Sequence, residues 1–217
     1  MKRIFILVSF FVFVALASWE HKLSAQQVQA KSAGQHSRLF DVTRLLRDVE
    51  TLSADAMEGR KVGTPGGAKA REYVLERFKQ AGLKSFGDSY LQSFEVVSDG
   101  EQVRGMNVVG YIKGKSNSNR YVVVTAHYDH LGIRDNQLYN GADDNASGVS
   151  ALFALATYFQ QHRPANSMIF VAFDAEETGL SGSKKFVAET PVKKESIAIN
   201  INLDMISHND RNELYLS

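Results

Sequence analysis

Three short apolar runs constrain the fold of this chain more than any other feature, because each suits a strand that is buried on both faces. They lie at 121–124, 169–173 and 197–203. Apolar residues recur at helical spacing over 149–160, between the first two runs, and 180–187 reads as a shorter helix before the third. Such alternation implies right-handed crossovers and parallel pairing. The sequence therefore predicts an α/β fold with a mostly parallel mixed sheet flanked by helices.

Further elements precede this alternating region. Apolar residues at three- and four-residue steps predict a helix that begins near Leu39, and Thr64 before Pro65 predicts the start of another. Residues 90–97 and 107–112 are candidate strands. A length of 217 residues fits one domain. We place that domain at residues 38–217.

The first 25 residues have the pattern of an export signal. Lys2 and Arg3 precede an apolar stretch over 4–17, which is shorter than the ~20 residues that cross a bilayer. Small residues follow and offer cleavage after Ala17 or Ala25. The sequence thus predicts a secreted or periplasmic protein without membrane attachment after cleavage, and an uncleaved membrane anchor is the alternative. The polar, aperiodic residues 26–37 are expected to form a linker.

The chain contains no cysteine, which excludes disulfide frameworks, thiol nucleophiles and thiolate metal sites. Any bound metal must therefore be held by His, Asp and Glu. Lys and Arg number 25 against 24 Asp and Glu, and no basic run breaks this balance. A nucleic-acid partner that binds through a basic face is consequently not expected.

Acidic and imidazole side chains follow directly after each of the three apolar runs. These side chains are His127 and Asp129 after the first run, Glu176 and Glu177 after the second, and Asp204 after the third. A further acidic segment at 141–148 precedes the helix at 149. Each segment alone has an ordinary explanation, such as a helix N-cap or a solvated turn. Because ligands bind where the carboxyl ends of parallel strands meet, we expect all four segments to converge there.

Crowded carboxylates repel one another, and a divalent cation among them removes that cost. His127 and Asp129 stand two residues apart, so the imidazole can bind a metal while the carboxylate accepts its other N–H. Adjacent Glu176 and Glu177 point in different directions, so one can bind metal while the other acts as a general base. This division of roles suits metal-assisted hydrolysis, with one cation or two.

Four motifs resemble the co-catalytic zinc aminopeptidases, a family with the zinc-dependent exopeptidase fold. They are VVVTAHYDHLG (122–132), NGADDNASGVSAL (140–152), FVAFDAEETGLSGS (170–183) and NINLDMI (200–206). The resemblance implies two bound zinc ions (Zn²⁺) and a peptide substrate that loses its N-terminal residues. The metal ligands that it implies are His127 and Asp204 on the first zinc, Glu177 on the second, and Asp144 bridging both.

The same resemblance implies roles for the neighbouring residues. Glu176 would be the general base that activates a zinc-bound water, and Asp129 would orient the imidazole of His127. A cis peptide bond is expected after Asp144, the bridging residue. Three further side chains are expected to support the site rather than bind metal, namely His130, Asp143 and Asn145.

The chain departs from the family pattern at one ligand, a His on the second zinc that normally lies well beyond the last Asp. The next His is His208, four residues after Asp204, where a surface role is expected. The chain also stops within a strand-like run at 214–216, so we interpret the domain as incomplete. With Asp144 and Glu177 as its protein ligands, the second zinc is expected to bind weakly.

Three functional hypotheses follow from these residues. The first is a secreted two-zinc metallopeptidase of the aminopeptidase type. The second is a related enzyme, since the family's relatives include carboxypeptidases and single-zinc glutaminyl cyclases. The third is a non-catalytic or inactive protease-like domain, although the presence of every upstream motif residue argues against it. Side-chain specificity and oligomeric state are not indicated by the sequence.

Overall fold

Helices and strands alternate in the computed structural model, which describes residue 37 and residues 39–207. The helices are α1 (Val42–Leu52), α2 (Pro65–Gln80), α3 (Gly148–Gln161) and α4 (Ser181–Ala188). The strands are β1 (Leu91–Ser98), β2 (Glu101–Ile112), β3 (Asn117–His127), β4 (Gly132–Arg134), β5 (Gln137–Tyr139), β6 (Asn166–Phe173) and β7 (Ile197–Asn202). Shorter helical turns lie at Asp55–Arg60, Ala142–Ser147 and Lys194–Ser196.

Several sequence predictions lie outside the described residues. They are the export signal at 1–25, the linker apart from residue 37, His208 and the run at 214–216. Within the part of the chain that the structure describes, no helix combines the length and apolar character needed to cross a membrane.

Five strands form one sheet in the order β1-β2-β6-β3-β7. Strands β6, β3 and β7 pair in parallel, and β1 and β2 join antiparallel on one side. The α/β fold with a mixed sheet flanked by helices is therefore confirmed, and its four pairings are two parallel and two antiparallel, where the sequence predicts mostly parallel pairing. The short hairpin of β4 and β5 is separate from this sheet and was not indicated by the apolar pattern.

The sheet is covered by helices on both faces because its strands alternate two sets of apolar side chains. One face packs against α2 and α3, and its strand residues include Val108, Val124 and Phe170. The opposite face packs against α4 through Phe186, whose ring meets that of Phe173 edge to face. Burial on both faces explains the continuous apolar runs in β3 and β6. The same prediction is wrong for the run at 197–203, because β7 is an edge strand of the sheet and exposes Ile199 and Ile201.

The register of the parallel strands brings their carboxyl ends to one edge. His127, the last residue of β3, pairs with Phe173, the last residue of β6. Thr125 pairs with Asn202 at the end of β7, and its carbonyl accepts the N–H of Leu203 at 2.8 Å. The segments that follow the three strands therefore leave the sheet side by side, as the sequence predicts.

Candidate metal centre

Three potential metal ligands meet where β3, β7 and the turn before α3 come together. The Nε2 atom of His127 lies 3.2 Å from Oδ1 of Asp144 and 3.5 Å from Oδ1 of Asp204. His127 is 3% exposed, whereas the two carboxylates are partly open to solvent. This set matches the ligands that the sequence assigns to the first zinc.

A second group shares Asp144 with the first. It contains Asp144, Glu177 and His130, with one ligand atom of each within 4.8 Å of the others. The Nδ1 atom of His130 is 2.8 Å from Oε1 of Glu177 and 3.8 Å from Oδ2 of Asp144. Among the described residues these are the two groups with such spacing. His130, expected from the sequence only to support the site, thus contacts Glu177 at hydrogen-bond distance and lies near Asp144.

The donors of the first group fit zinc. Ligand atoms about 2.0–2.2 Å from a tetrahedral zinc ion are separated by roughly 3.4 Å, close to the distances from His127 to both aspartates. Imidazole nitrogen and carboxylate oxygen are the donors that zinc takes in the absence of cysteine. Asp144 faces both groups with different oxygens, so it is placed to bridge two ions.

The carboxylate of Asp129 does more than the sequence suggests. Its Oδ1 accepts the backbone N–H of Glu176 at 3.0 Å, and its Oδ2 accepts that of Glu177 at 3.2 Å. Nδ1 of His127 lies 3.1 Å from the backbone oxygen of Asp129 and 3.6 Å from its carboxylate. Asp129 therefore fixes the turn that carries both glutamates and contacts the imidazole mainly through its main chain.

Glu176, which the resemblance implies as general base, is half-buried. It lines an open cavity of about 150 Å³ together with His127 and Asp204. Partial burial raises the pKa of Glu176, and the nearby charges of Asp129, Glu177 and Asp204 raise it further, against an opposing effect of His127. A raised pKa makes this carboxylate a better proton acceptor near neutral pH.

The two imidazoles have opposite electrostatic surroundings. Burial lowers the pKa of His127, but the surrounding carboxylates outweigh burial and raise it to about 12. Burial is the main cause that lowers the pKa of His130, and the positive charges of Arg60 and His127 lower it further, against the opposing effects of Asp144 and Asp129. His130 therefore favours the neutral form, which is the form that binds metals.

The turn that carries Asp144 is tied to the segment after β7. The buried Asn145 side chain donates to the carbonyl of Leu203 at 2.9 Å and accepts the N–H of Met205 at 3.3 Å. Asp143 accepts the N–H of Ser207 at 3.1 Å. The Asp144–Asn145 peptide bond is cis, as the resemblance implies. Asp143 and Asn145 thus connect the turn that carries Asp144 to the segment after β7.

Arg60, which the sequence did not single out, lies beneath the site and is fully buried. Its guanidinium donates to five main-chain carbonyls, those of Leu52, Tyr128, Asn140, Gly141 and Asp144. Burial lowers the pKa of Arg60 to about 10, partly offset by the charges of Asp129, Asp144 and Glu177. The residue connects the loop after β3 with the turn that bears Asp144.

We expect Arg60→Met to lower the free energy of unfolding by about 3–5 kcal/mol, because it leaves several buried carbonyls without a donor. Arg60→Lys should recover only part of this loss, since one ammonium group cannot reach five acceptors. Urea denaturation measures both values. Arg104→Met is the matched control, because Arg104 is an exposed residue on β2 and its loss should cost under about 1 kcal/mol. Equal stability of the Arg60 and Arg104 variants would contradict this role.

An α/β sheet whose strand ends carry clustered imidazole and carboxylate groups is typical of α/β proteins that bind a metal at that edge. The model of Peptidase family M28 matches residues 107–217, and the chain belongs to that family. Aminopeptidase YwaD of Bacillus subtilis is 32% identical over 169 residues, which cover 74% of this chain and 33% of that protein. The chain spans about a third of the length of this relative and of two zinc metalloproteases from Pyrenophora, and less of several others.

Solved structures share the fold. A Zn-dependent exopeptidase from Parabacteroides distasonis superposes with a TM-score of 0.65 at 22% identity, covering 77% of this chain and 62% of that chain. A glutaminyl cyclase from Porphyromonas gingivalis gives a TM-score of 0.67 at 21% identity, covering 78% and 62%. At these identities the likeness extends to the fold alone.

Proposed function

We propose that this chain is a metallopeptidase that binds two zinc ions and removes N-terminal residues from peptides. The observation that carries the proposal is the pair of His-and-carboxylate groups that share Asp144, with Glu176 beside them at the same strand edge. Membership of a peptidase family supports a peptide substrate. Similarity to an aminopeptidase supports action at the N-terminus.

His127, Asp144 and Asp204 would hold the first ion, and Asp144 with Glu177 would hold the second. When bound, zinc lowers the pKa of a water ligand to about 7 and polarises the substrate carbonyl. Glu176 takes a proton from the attacking water while the water oxygen bonds to the carbonyl carbon. The same carboxyl group then gives the proton to the leaving nitrogen as the C–N bond breaks, so one water is consumed per bond.

Residues behind the ligands keep this arrangement in place. Asp129 holds the backbone of Glu176 and Glu177, so the base and a ligand of the second ion are positioned by a single carboxylate. The cavity beside Glu176 includes the apolar side chains of Phe173 and Leu180 and the polar side chain of Asn202. We propose that a substrate side chain enters this cavity while its scissile bond lies over the carboxylates.

The proposal includes export from the cell. Its support is the sequence of residues 1–25, in which two basic residues precede a short apolar stretch and small residues. A secreted or periplasmic peptidase would meet peptides outside the cytoplasm. No cysteine is needed for such a protein, and none is present.

The test compares a short peptide that has a free N-terminus with the same peptide acetylated at that end. We expect acetylation to lower kcat/KM at least about 100-fold, because a site built for a free amine rejects substrates that lack it. Mass spectrometry of the products identifies which end is shortened. Loss of residues from the C-terminus would replace the proposal with a carboxypeptidase. Loss of ammonia from an N-terminal Gln without cleavage would replace it with a cyclase.

A further inference from the structure

We propose that Asp174 is a positioning residue for Glu176, because its carboxylate ties the turn that carries this glutamate to strand β2. The inference rests on the proposed function, in which Glu176 is the general base, and adds a residue behind it. Asp174 follows the last residue of β6 and lies two residues before Glu176. Its side chain is 3% exposed, so it does not reach a substrate. Any effect of Asp174 on hydrolysis must therefore pass through the turn.

The two carboxylate oxygens of Asp174 hold two separate segments together. Oδ1 accepts the backbone N–H of Ala175 at 2.9 Å, and Oδ2 accepts that of Met106 on β2 at 2.9 Å. The backbone N–H of Asp174 itself donates to Oδ1 of Asn107 at 3.1 Å. The start of the turn is therefore fastened to the strand that pairs with β6 in the sheet.

Together with Asp129, Asp174 binds three consecutive N–H groups of the turn. Asp174 accepts that of Ala175, and the carboxylate of Asp129 accepts those of Glu176 and Glu177. Both carboxylates are almost completely buried. Two buried acids thus fix the course of the main chain at the residue from which the base projects.

The backbone of Ala175 shows why this turn needs to be held. Ala175 has φ of 56°, in the left-handed region that a residue with a Cβ adopts only at a cost. Glu176 comes next, so relaxation of Ala175 to an ordinary conformation would redirect the base. The N–H of Ser181 also donates to the carbonyl of Ala175 at 3.0 Å. Hydrogen bonds on both sides of the residue therefore keep it in the strained conformation.

The charge of Asp174 is costly where it lies. Burial raises the pKa of Asp174 to about 7, and the charge of Asp129 raises it further, whereas hydrogen bonds from Met106, Tyr128 and Ala175 lower it. An apolar side chain in this position would avoid the cost of burying a carboxylate. What Asp174 supplies in return is the fixed geometry of the turn.

Kinetics with a peptide that has a free N-terminus, and zinc analysis of the same preparation, provide the first test. For Asp174→Ala we expect kcat to fall about 10–100-fold with KM within about threefold and zinc content unchanged, because the base is misplaced. The matched control is Asp48→Asn, at a buried aspartate of α1 that accepts hydrogen bonds from Tyr73 and Arg77 on α2. It should lose stability in urea and keep kcat. Unchanged kcat in Asp174→Ala, or an equal fall in Asp48→Asn, would overturn the inference.

A second substitution separates positioning of the base from general support of the fold. Glycine adopts positive φ without the cost that a Cβ imposes, so Asp174→Ala/Ala175→Gly should recover at least about fivefold in kcat over Asp174→Ala. The same change removes a buried methyl group, so the urea midpoint should fall further. If Asp174 only supported folding, activity and stability would decline together. An absence of recovery in the double variant would overturn the inference.

Amide hydrogen exchange, measured by NMR on the ¹⁵N-labelled chain, tests the turn without any turnover. In Asp174→Ala the N–H groups of Ala175 and Glu176 should exchange at least about tenfold faster than in the unsubstituted chain. Asp174→Asn covers the case in which the alanine variant does not fold. Its single amide oxygen can still accept from Ala175, so both its exchange rates and its kcat should be intermediate. Unchanged exchange at Ala175 in the folded variants would overturn the inference.

Failure of this inference and failure of the proposed function give different results. A chain that hydrolyses no peptide, yet exchanges the amides of the turn faster in Asp174→Ala, would contradict the proposed function and leave the hold on the turn intact. A chain that removes N-terminal residues equally fast with and without the Asp174 carboxylate would do the reverse.

Discussion

Glu176→Gln is expected to lower kcat/KM for a peptide with a free N-terminus by about 10²–10⁴-fold, with zinc content unchanged. The amide has the shape of the carboxylate but cannot accept the proton of the attacking water. The backbone hydrogen bond from residue 176 to Asp129 should persist, because it does not involve the side chain. Steady-state kinetics and metal analysis on the same preparation test both parts of this expectation.

The matched control is Glu189→Gln, because Glu189 is an exposed residue that pairs with Lys185. It should leave kcat/KM within about twofold of the unsubstituted chain. This pair of variants separates an enzyme from a protease-like binding domain, since a binding function predicts the same behaviour for both. Full activity of the Glu176→Gln variant, or loss of its bound zinc, would contradict the assignment of Glu176 as the general base.

The apolar pattern predicted the sheet well where strands are buried on both faces. The runs in β3 and β6 contain β-branched and aromatic residues with no polar interruption, because helices cover both sides. The apolar pattern located strands less accurately where one face of the strand is exposed. β2 begins at Glu101, well before the predicted residue 107, because its first residues alternate with polar ones. The three-residue strands β4 and β5 are too short to show any period.

The main site residues were predictable because they share one kind of position. His127, Glu177 and Asp204 each follow a strand, and parallel strands deliver such residues to the same edge. Asp144 was predictable from its place before a helix and from the resemblance. The structure brings these four together, whereas their roles in metal binding remain proposals.

Arg60 and His130 show what a sequence alone does not indicate. Arg60 binds carbonyl oxygens, which every residue possesses, so no partner side chain marks its role. Its acceptors lie up to 84 residues away along the chain. His130 is three residues from His127, and only the path of the loop decides whether its ring faces Glu177 or solvent. Both depend on how loops meet in space rather than on local pattern.

Asp144→Asn is expected to remove most zinc binding, because Asp144 is the one ligand that both groups share. Asparagine keeps the shape of the side chain but offers a single carbonyl oxygen and no charge. The asparagine side chain can therefore coordinate one ion at most, and the other ion loses this ligand. We expect the affinity for both ions to fall at least about 100-fold and peptide hydrolysis to fall below detection.

Thermal unfolding with and without zinc measures this loss independently of activity. Zinc at 100 times its dissociation constant stabilises a chain with one site by about 2.7 kcal/mol, because it binds the folded state. The unsubstituted chain should therefore unfold at a higher temperature when zinc is added, whereas Asp144→Asn should not. Asp88→Asn, at an exposed loop position, is the matched control and should keep the full shift. An undiminished zinc-dependent shift in Asp144→Asn would show that the cation is held elsewhere, because no other residue belongs to both described groups.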